Sequence, residues 1–149
     1  SDKKGDTLYD ITFADGSGTN QAQDLFHDRR TVNSNEEDNL DLNGALSDVF
    51  GNTLSMVTIR QLVFINNATS SGEDLAIGGP TGPSAGALLT DLFDGDNESR
   101  FKVKSGGAAM FVAPIAGYAV TGGSADIIRV FNIGTGPITY DVIIKGTRS

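Results

Sequence analysis

The chain has 149 residues, a formal net charge of −8, 38% hydrophobic and 20% charged residues, one histidine, no cysteine and no tryptophan. That length suits one domain able to bury its own core, and the composition is that of a folded chain. The acidic balance disfavours nucleic acid and anionic membrane surfaces, and zero cysteines exclude a disulfide framework and a thiolate metal site.

No apolar run approaches the roughly 20 residues of a membrane-spanning helix. The opening, Ser1 to Asp6, lacks the apolar centre of a signal peptide and reads like a chain start after removal of an initiator Met. The 19 glycines show no collagen period and fall between short apolar runs, which points to many tight connections.

The first predicted strand is Thr7 to Phe13, where Tyr9, Ile11 and Phe13 share one face. Residues 14 to 39 are rich in Asn, Asp, Gln and Glu. They read as a long surface excursion, with Leu25, Phe26 and Val32 as anchors and an edge strand near Arg29 to Asn33. Leu40-Asp41-Leu42 is a short alternating strand. Gly44 to Asn52 reads as a loop whose Leu46, Val49 and Phe50 tuck inward.

Ser55 to Asn66 is the strongest central strand. Val57, Ile59, Val63 and Ile65 are expected on one face, Leu62 and Phe64 on the other, which implies burial from two sides. Glu73 to Gly78 is another strand, with Leu75 and Ile77 inward, and the Gly-Pro run from Gly78 to Ser84 is a loop. Ala87 to Phe93 offers one helical turn.

From Arg100 the pattern is strand after strand. Phe101 and Val103 point in, Ala108 to Ala113 is apolar on both faces, and Tyr118 to Thr121 is short. Asp126 to Ile133 is β-branched, and the last strand turns Ile138, Tyr140, Val142 and Ile144 to one side. About eight to ten short strands with turn signals between them specify one all-β domain over residues 1–149, a jelly-roll or Greek-key β-sandwich. Residues 1–39 would form an N-terminal arm plus the first strand.

Few residues offer chemistry. Asp91, Asp94, Asp96 and Glu98 alternate along a Gly-containing turn, as Ca²⁺ ligands do, but the acidic residue that closes a twelve-residue Ca²⁺ loop is missing. A solvated acidic turn accounts for them as well. Asn33, Asn35, Glu36, Glu37, Asp38 and Asp41 form a second cluster, suited to a cation or sugar hydroxyls or simply to solvent. His27 has Asp24 and Asp28 nearby in sequence but no nucleophile motif, and reads as a surface histidine. Arg29-Arg30 is a lone basic pair that would meet solvent or the carboxylates of a neighbouring subunit. These readings assign no catalytic, cofactor or metal residue and predict a protein that is not an enzyme.

A resemblance adds a functional expectation. Its residues begin with Leu40-Asp41-Leu42-Asn43-Gly44-Ala45-Leu46-Ser47-Asp48 and Gly51-Asn52-Thr53-Leu54. Next come the strand Ile59 to Asn66 and Asp74-Leu75-Ala76-Ile77-Gly78-Gly79. Gly106-Gly107, Gly117-Tyr118-Ala119-Val120-Thr121, a β-branched strand and Ile138-Thr139-Tyr140-Asp141-Val142 complete it. This pattern resembles the small virion structural proteins encoded beside the capsid genes of tailed bacteriophages. The resemblance implies a capsid decoration or head-associated subunit, a homotrimer bound to the major capsid protein or other virion proteins. It would be assembled in the host cytoplasm and located on the capsid surface. No nucleic acid, membrane or cofactor enters this reading. The other expectation is a carbohydrate- or cell-surface-binding β-sandwich module of a phage appendage, against which the absence of Trp counts.

Overall fold

The computed structural model describes residues 12–79, 90–96 and 98–148. Most of the predicted first strand, Thr7 to Phe13, lies outside them, as does most of the loop from Gly78 to Ser84. The strands are β1 (Ala14–Asp15), β2 (Gln21–Ala22), β3 (Asp24–Val32), β4 (Glu37–Asp41), β5 (Asn43–Ser47), β6 (Thr53–Ser55) and β7 (Thr58–Asn66). They continue as β8 (Leu75–Gly78), β9 (Arg100–Val103), β10 (Ala108–Val112), β11 (Tyr118–Ala119), β12 (Ile127–Asn132) and β13 (Ile138–Thr147). Among the described residues a 3₁₀ turn, Thr90–Phe93, falls within the helical turn expected over Ala87 to Phe93, whose first three residues lie outside them.

Nine of these strands build a two-sheet sandwich. The first sheet runs β10-β7-β13-β3, with β11 on the far end of β7, and the second runs β4-β12-β8-β9. The antiparallel pairs β3·β13, β4·β12, β7·β10 and β8·β9 nest inside one another. The chain is thus one long hairpin, tipped between β8 and β9 and rolled up until β13 meets β7 and β12 meets β8. That is the jelly roll, an all-β sandwich as the sequence predicts.

Period-two alternation fills the space between the sheets. Phe26, Val32, Leu62, Phe64, Ile138, Tyr140, Val142 and Ile144 face inward from the first sheet. Leu40, Leu75, Ile77, Val103, Ile128 and Val130 face them from the second. Leu42, Leu54 and Met56, on the crossing between the sheets, close one end.

Three sequence expectations are corrected. Asp24–Val32 is a nine-residue strand of the first sheet, paired along its length with β13, and is not a surface excursion. Its inward positions alternate Phe26 and Val32 with Asp24, Asp28 and Arg30, and these polar residues hid the apolar periodicity. Second, Ile59 belongs to the core face with Leu62 and Phe64. A bulge sets Gly146 opposite Ile59 and Lys145 opposite Gln61, so Arg60 is the extra residue and the register changes there. Val63 and Ile65 remain half-exposed on the outer face. A Cβ on Gly146 would collide with the Thr58 carbonyl and the Met56 sulfur, so this close approach of β13 to its neighbours requires glycine. Third, Leu46 packs against the core as expected, but Val49 and Phe50 point outward, with Phe50 86% exposed. The Asp48 carboxylate accepts hydrogen bonds from the Phe50 and Asn52 amides, which closes a tight turn and leaves no slack to fold those side chains back.

Ile144 is fully buried on β13. Ile144→Ala is expected to cost about 2–5 kcal/mol. Lys145→Ala, on the opposite face, should cost less than about 1 kcal/mol. Urea unfolding of the two variants checks this register; equal, small effects would contradict it.

Candidate functional site

A polar concavity lies where β3 turns into β4. It is an open cleft of about 310 Å³, with Asp28, Arg30, Asn33, Glu36, Glu37 and Asp38 in its walls. The pairing of β3 with β13 and of β4 with β12 brings the basic pair and the second acidic cluster to one place.

Asp38 is its centre. It stands on the inner face of the second sheet and accepts from one edge of a guanidinium on the first. Arg30 donates from Nε at 2.6 Å and from Nη2 at 3.1 Å, and its Nη1 donates to Asp28 at 2.9 Å. The Tyr140 hydroxyl donates to the same Asp38 carboxylate at 2.6 Å. One carboxylate therefore ties β3, β4 and β13 together across the sandwich. Burial, reinforced by the hydrogen bond to Asp38, pushes the Tyr140 phenol far above its usual range. The fork-shaped bond to Asp38 raises Arg30 as well.

The flanking charges are paired too. Arg29 Nε and Nη2 donate to Asp141 at 2.8 and 3.0 Å, and Asn67 adds a third donor at 3.2 Å. This hydrogen bonding holds the Asp141 carboxyl at about 2, below its ordinary 3.8. Arg129 donates to Glu37 at 3.1 Å and to the Gly78 carbonyl at 3.2 Å, and its guanidinium lies over the Phe131 ring at 4.5 Å. Arg29 and Arg30 thus find their carboxylates within their own chain, where the sequence left solvent or a neighbouring subunit to supply them. Glu36 meets Asn33 at 3.4 Å, and Asp41 accepts the Asn43 amide at 2.9 Å. The cluster is an internally compensated network.

The other predicted residues stay apart. His27 is on the outer face of β3, opposite Ile143, while alternation puts Asp24 and Asp28 on the inner face. Asp24 is bound to Arg148 and Asp28 to Arg30. Asp96 accepts from the Glu98 amide at 2.8 Å and the Ser99 hydroxyl at 2.7 Å, which keeps its carboxyl below the usual range, with Ser99 the larger cause. Asp91 accepts from the Ala119 amide at 2.7 Å. Asp96 thus satisfies donors beside its own turn, and Asp91 ties the turn to β11. Among the described residues, no three of His, Cys, Asp and Glu converge as a metal site, Asp94, Asp96 and Glu98 included.

Two features were invisible in the sequence. Arg60 is 4% exposed and donates to the carbonyls of Ser17, Gly18, Pro114 and Ile115 at 2.8–3.1 Å, pinning two loops with one guanidinium. A single Arg inside an apolar strand gives no local sign of that task. The second is an apolar groove of about 220 Å³ between Phe13, Ala22, Leu25, Val49 and Phe50, with Lys145 over the Phe13 ring.

The chain matches no known protein family, and no curated protein matches it. Among solved structures it is similar to a de novo designed double-stranded β-helix, with 14% identity and a TM-score of 0.40, over 79% of this chain and 96% of that one. It is also similar to a structure described with the words "Bacillus endospore appendages form a novel family of disulfide-linked pili". There the identity is 13% and the TM-score 0.40, over 96% of this chain and 100% of the other. Neither likeness bears on what this chain does.

Removing Asp38 leaves Arg30 and the Tyr140 hydroxyl without their shared acceptor. Asp38→Ala is expected to destabilise by about 1–3 kcal/mol, and Tyr140→Phe, which removes one donor and leaves the Arg30 pair, by about 1 kcal/mol. Chemical denaturation separates them; a larger loss in Tyr140→Phe would contradict the arrangement. A second expectation concerns acid. The Asp141 carboxyl titrates lower in the fold than in the unfolded chain, so the contribution of its pairing is complete above 3.8 and is lost as pH falls toward about 2. Unfolding midpoints of Asp141→Asn should therefore fall less steeply than wild type across that window, and parallel curves would refute it.

Proposed function

We propose that the protein is a non-enzymatic virion structural subunit, a capsid decoration protein that docks as a homo-oligomer on the outer shell of a tailed phage. The observation that carries the reading is the apolar groove headed by Phe50. An aromatic ring 86% exposed at the tip of a tight turn, beside Val49, Leu25 and Phe13, is costly to leave in water and gains by insertion into a partner. The turn holds it rigidly through Asp48, so little conformational freedom is lost on docking. The strand-and-turn pattern from Leu40 to the C-terminus supports a phage shell as the partner, and the same pattern supports a trimer as the form of the oligomer.

The polar cleft supports the second reading, a glycan- or cell-surface-binding module of a phage appendage. It is open, and Glu36 and Asn33, joined by a hydrogen bond, are among the residues that line it. Its inner charges, though, already hold one another.

Co-sedimentation with capsids of the source particle prepared without this protein tests the first reading. Wild type should pellet with the shells, and Phe50→Asp should bind at least about tenfold more weakly while its melting temperature is unchanged. Absence of any binding to the shell, together with retention on a glycan array, would replace the first reading by the second.

A further inference from the structure

The two edges of the second sheet differ in charge: β9 carries Arg100 and Lys102, and β4 carries Glu37, which also holds Arg129, and Asp41. The Gly79 amide, just past β8, donates to the Ser99 carbonyl, and in this register the odd-numbered residues of β8 and β9 bond to each other, so the backbone groups of Arg100 and Lys102 point away from the sheet. Their side chains lie on the outer face, are exposed, and form no ion pair among the described residues. At the opposite edge β4 pairs with β12 through its even-numbered residues, as the Leu42–Asp126 and Asn132–Glu36 hydrogen bonds show. The open backbone groups there belong to Glu37, Asn39 and Asp41, whose side chains also line the outer face. No strand among the described residues pairs with either edge.

We infer that β9 of one copy pairs antiparallel with β4 of the next, so that the second sheet runs on through neighbouring subunits. Only registers that match open groups to open groups complete the ladder. Each of the two central ones sets a cation of β9 directly opposite an acid of the neighbour's β4. In one, Arg100 meets Asp41; in the other, Lys102 meets Glu37. Directly opposite residues of an antiparallel pair lie on the same face, so these pairs sit side by side on the continuous outer surface. The same charges forbid the alternatives. Joining β9 to β9 would oppose Arg100 and Lys102 to themselves, and joining β4 to β4 would oppose Glu37 and Asp41. The interface is therefore head-to-tail, which closes as a ring or continues as a filament. It goes beyond the docking reading above, because it names how copies meet and does not depend on a shell.

Sedimentation velocity of the full chain across the micromolar range is the test. Wild type should self-associate, and added salt should weaken the association. Arg100→Glu/Lys102→Glu on β9 and Asn39→Lys/Asp41→Lys on β4 should each weaken it by at least about tenfold. Far-ultraviolet circular dichroism confirms that both are folded; if the first is not, Arg100→Gln/Lys102→Gln should show a smaller loss of the same kind. Mixing the two charge-reversed variants should restore association, because each then presents edges complementary to the other. Alternation of the two excludes odd-numbered rings, so a wild-type trimer would become an even-numbered assembly. A wild type that stays monomeric overturns this inference, and if it still binds capsids the docking reading stands. Assembly unchanged in both variants overturns it too and points to β10, the uncharged edge of the other sheet.

Discussion

The structure depends on one strand that the chain supplies last. β13 lies between β7 and β3 and bonds to both, with Asp141 opposite Arg29 on one side and Ile65 on the other. Its inner face, Ile138, Tyr140, Val142 and Ile144, is almost wholly removed from water. Without it, β3 and β7 would share no common neighbour and their facing edges would be unpaired. In the nested hairpin of the jelly roll β3 and β13 pair with each other, and the other strands of the sandwich lie between them in sequence. Pairings over such separations are entropically costly to close and slow to form.

Buried polar residues determine how the ends of the strands are held. Asn66, at the end of β7, donates to the carbonyls of Glu73 and Val103 and accepts the Ala68 amide. Asn132, at the end of β12, donates to Val32 and Gly136 and accepts the Gly134 amide. Each asparagine satisfies three backbone groups where the ladder stops and water is excluded. Arg60 and Asp38 do the same at larger scale, one for loop carbonyls, the other for a guanidinium and a phenol. No buried side-chain nitrogen or oxygen among the described residues lacks a partner, which is the condition for polar groups to specify a fold and not weaken it.

Charge is distributed with the same economy. An overall −8 keeps copies apart at long range, while the cations concentrate where they are bound or where an edge is open. Arg29, Arg30 and Arg129 are held by carboxylates of their own chain. Arg100 and Lys102 remain exposed on a strand edge. The molecule therefore exposes two chemically different surfaces, an apolar groove at Phe50 and a charged sheet edge at β9.

The sequence by itself determined the fold class, because period-two alternation broken by Gly, Pro and Asn turns is a local property written in neighbouring residues. Strands such as Leu75–Gly78 and Ile138–Thr147 were legible for that reason. It did not reveal β3, whose inward positions include Asp28 and Arg30. Those residues are tolerable there only because Asp38, eight residues beyond Arg30 and in the other sheet, compensates the guanidinium. It named the acidic cluster and the basic pair separately, and the pairing of strands joined them. The bulge that turns Ile59 inward and the tight turn that turns Phe50 outward likewise arise from contacts with distant or folded-back backbone. Periodicity is fixed by nearest neighbours; the partner of a charge, the side of a bulge and the open edge of a sheet are fixed by which strands meet, and only the tertiary structure decides that.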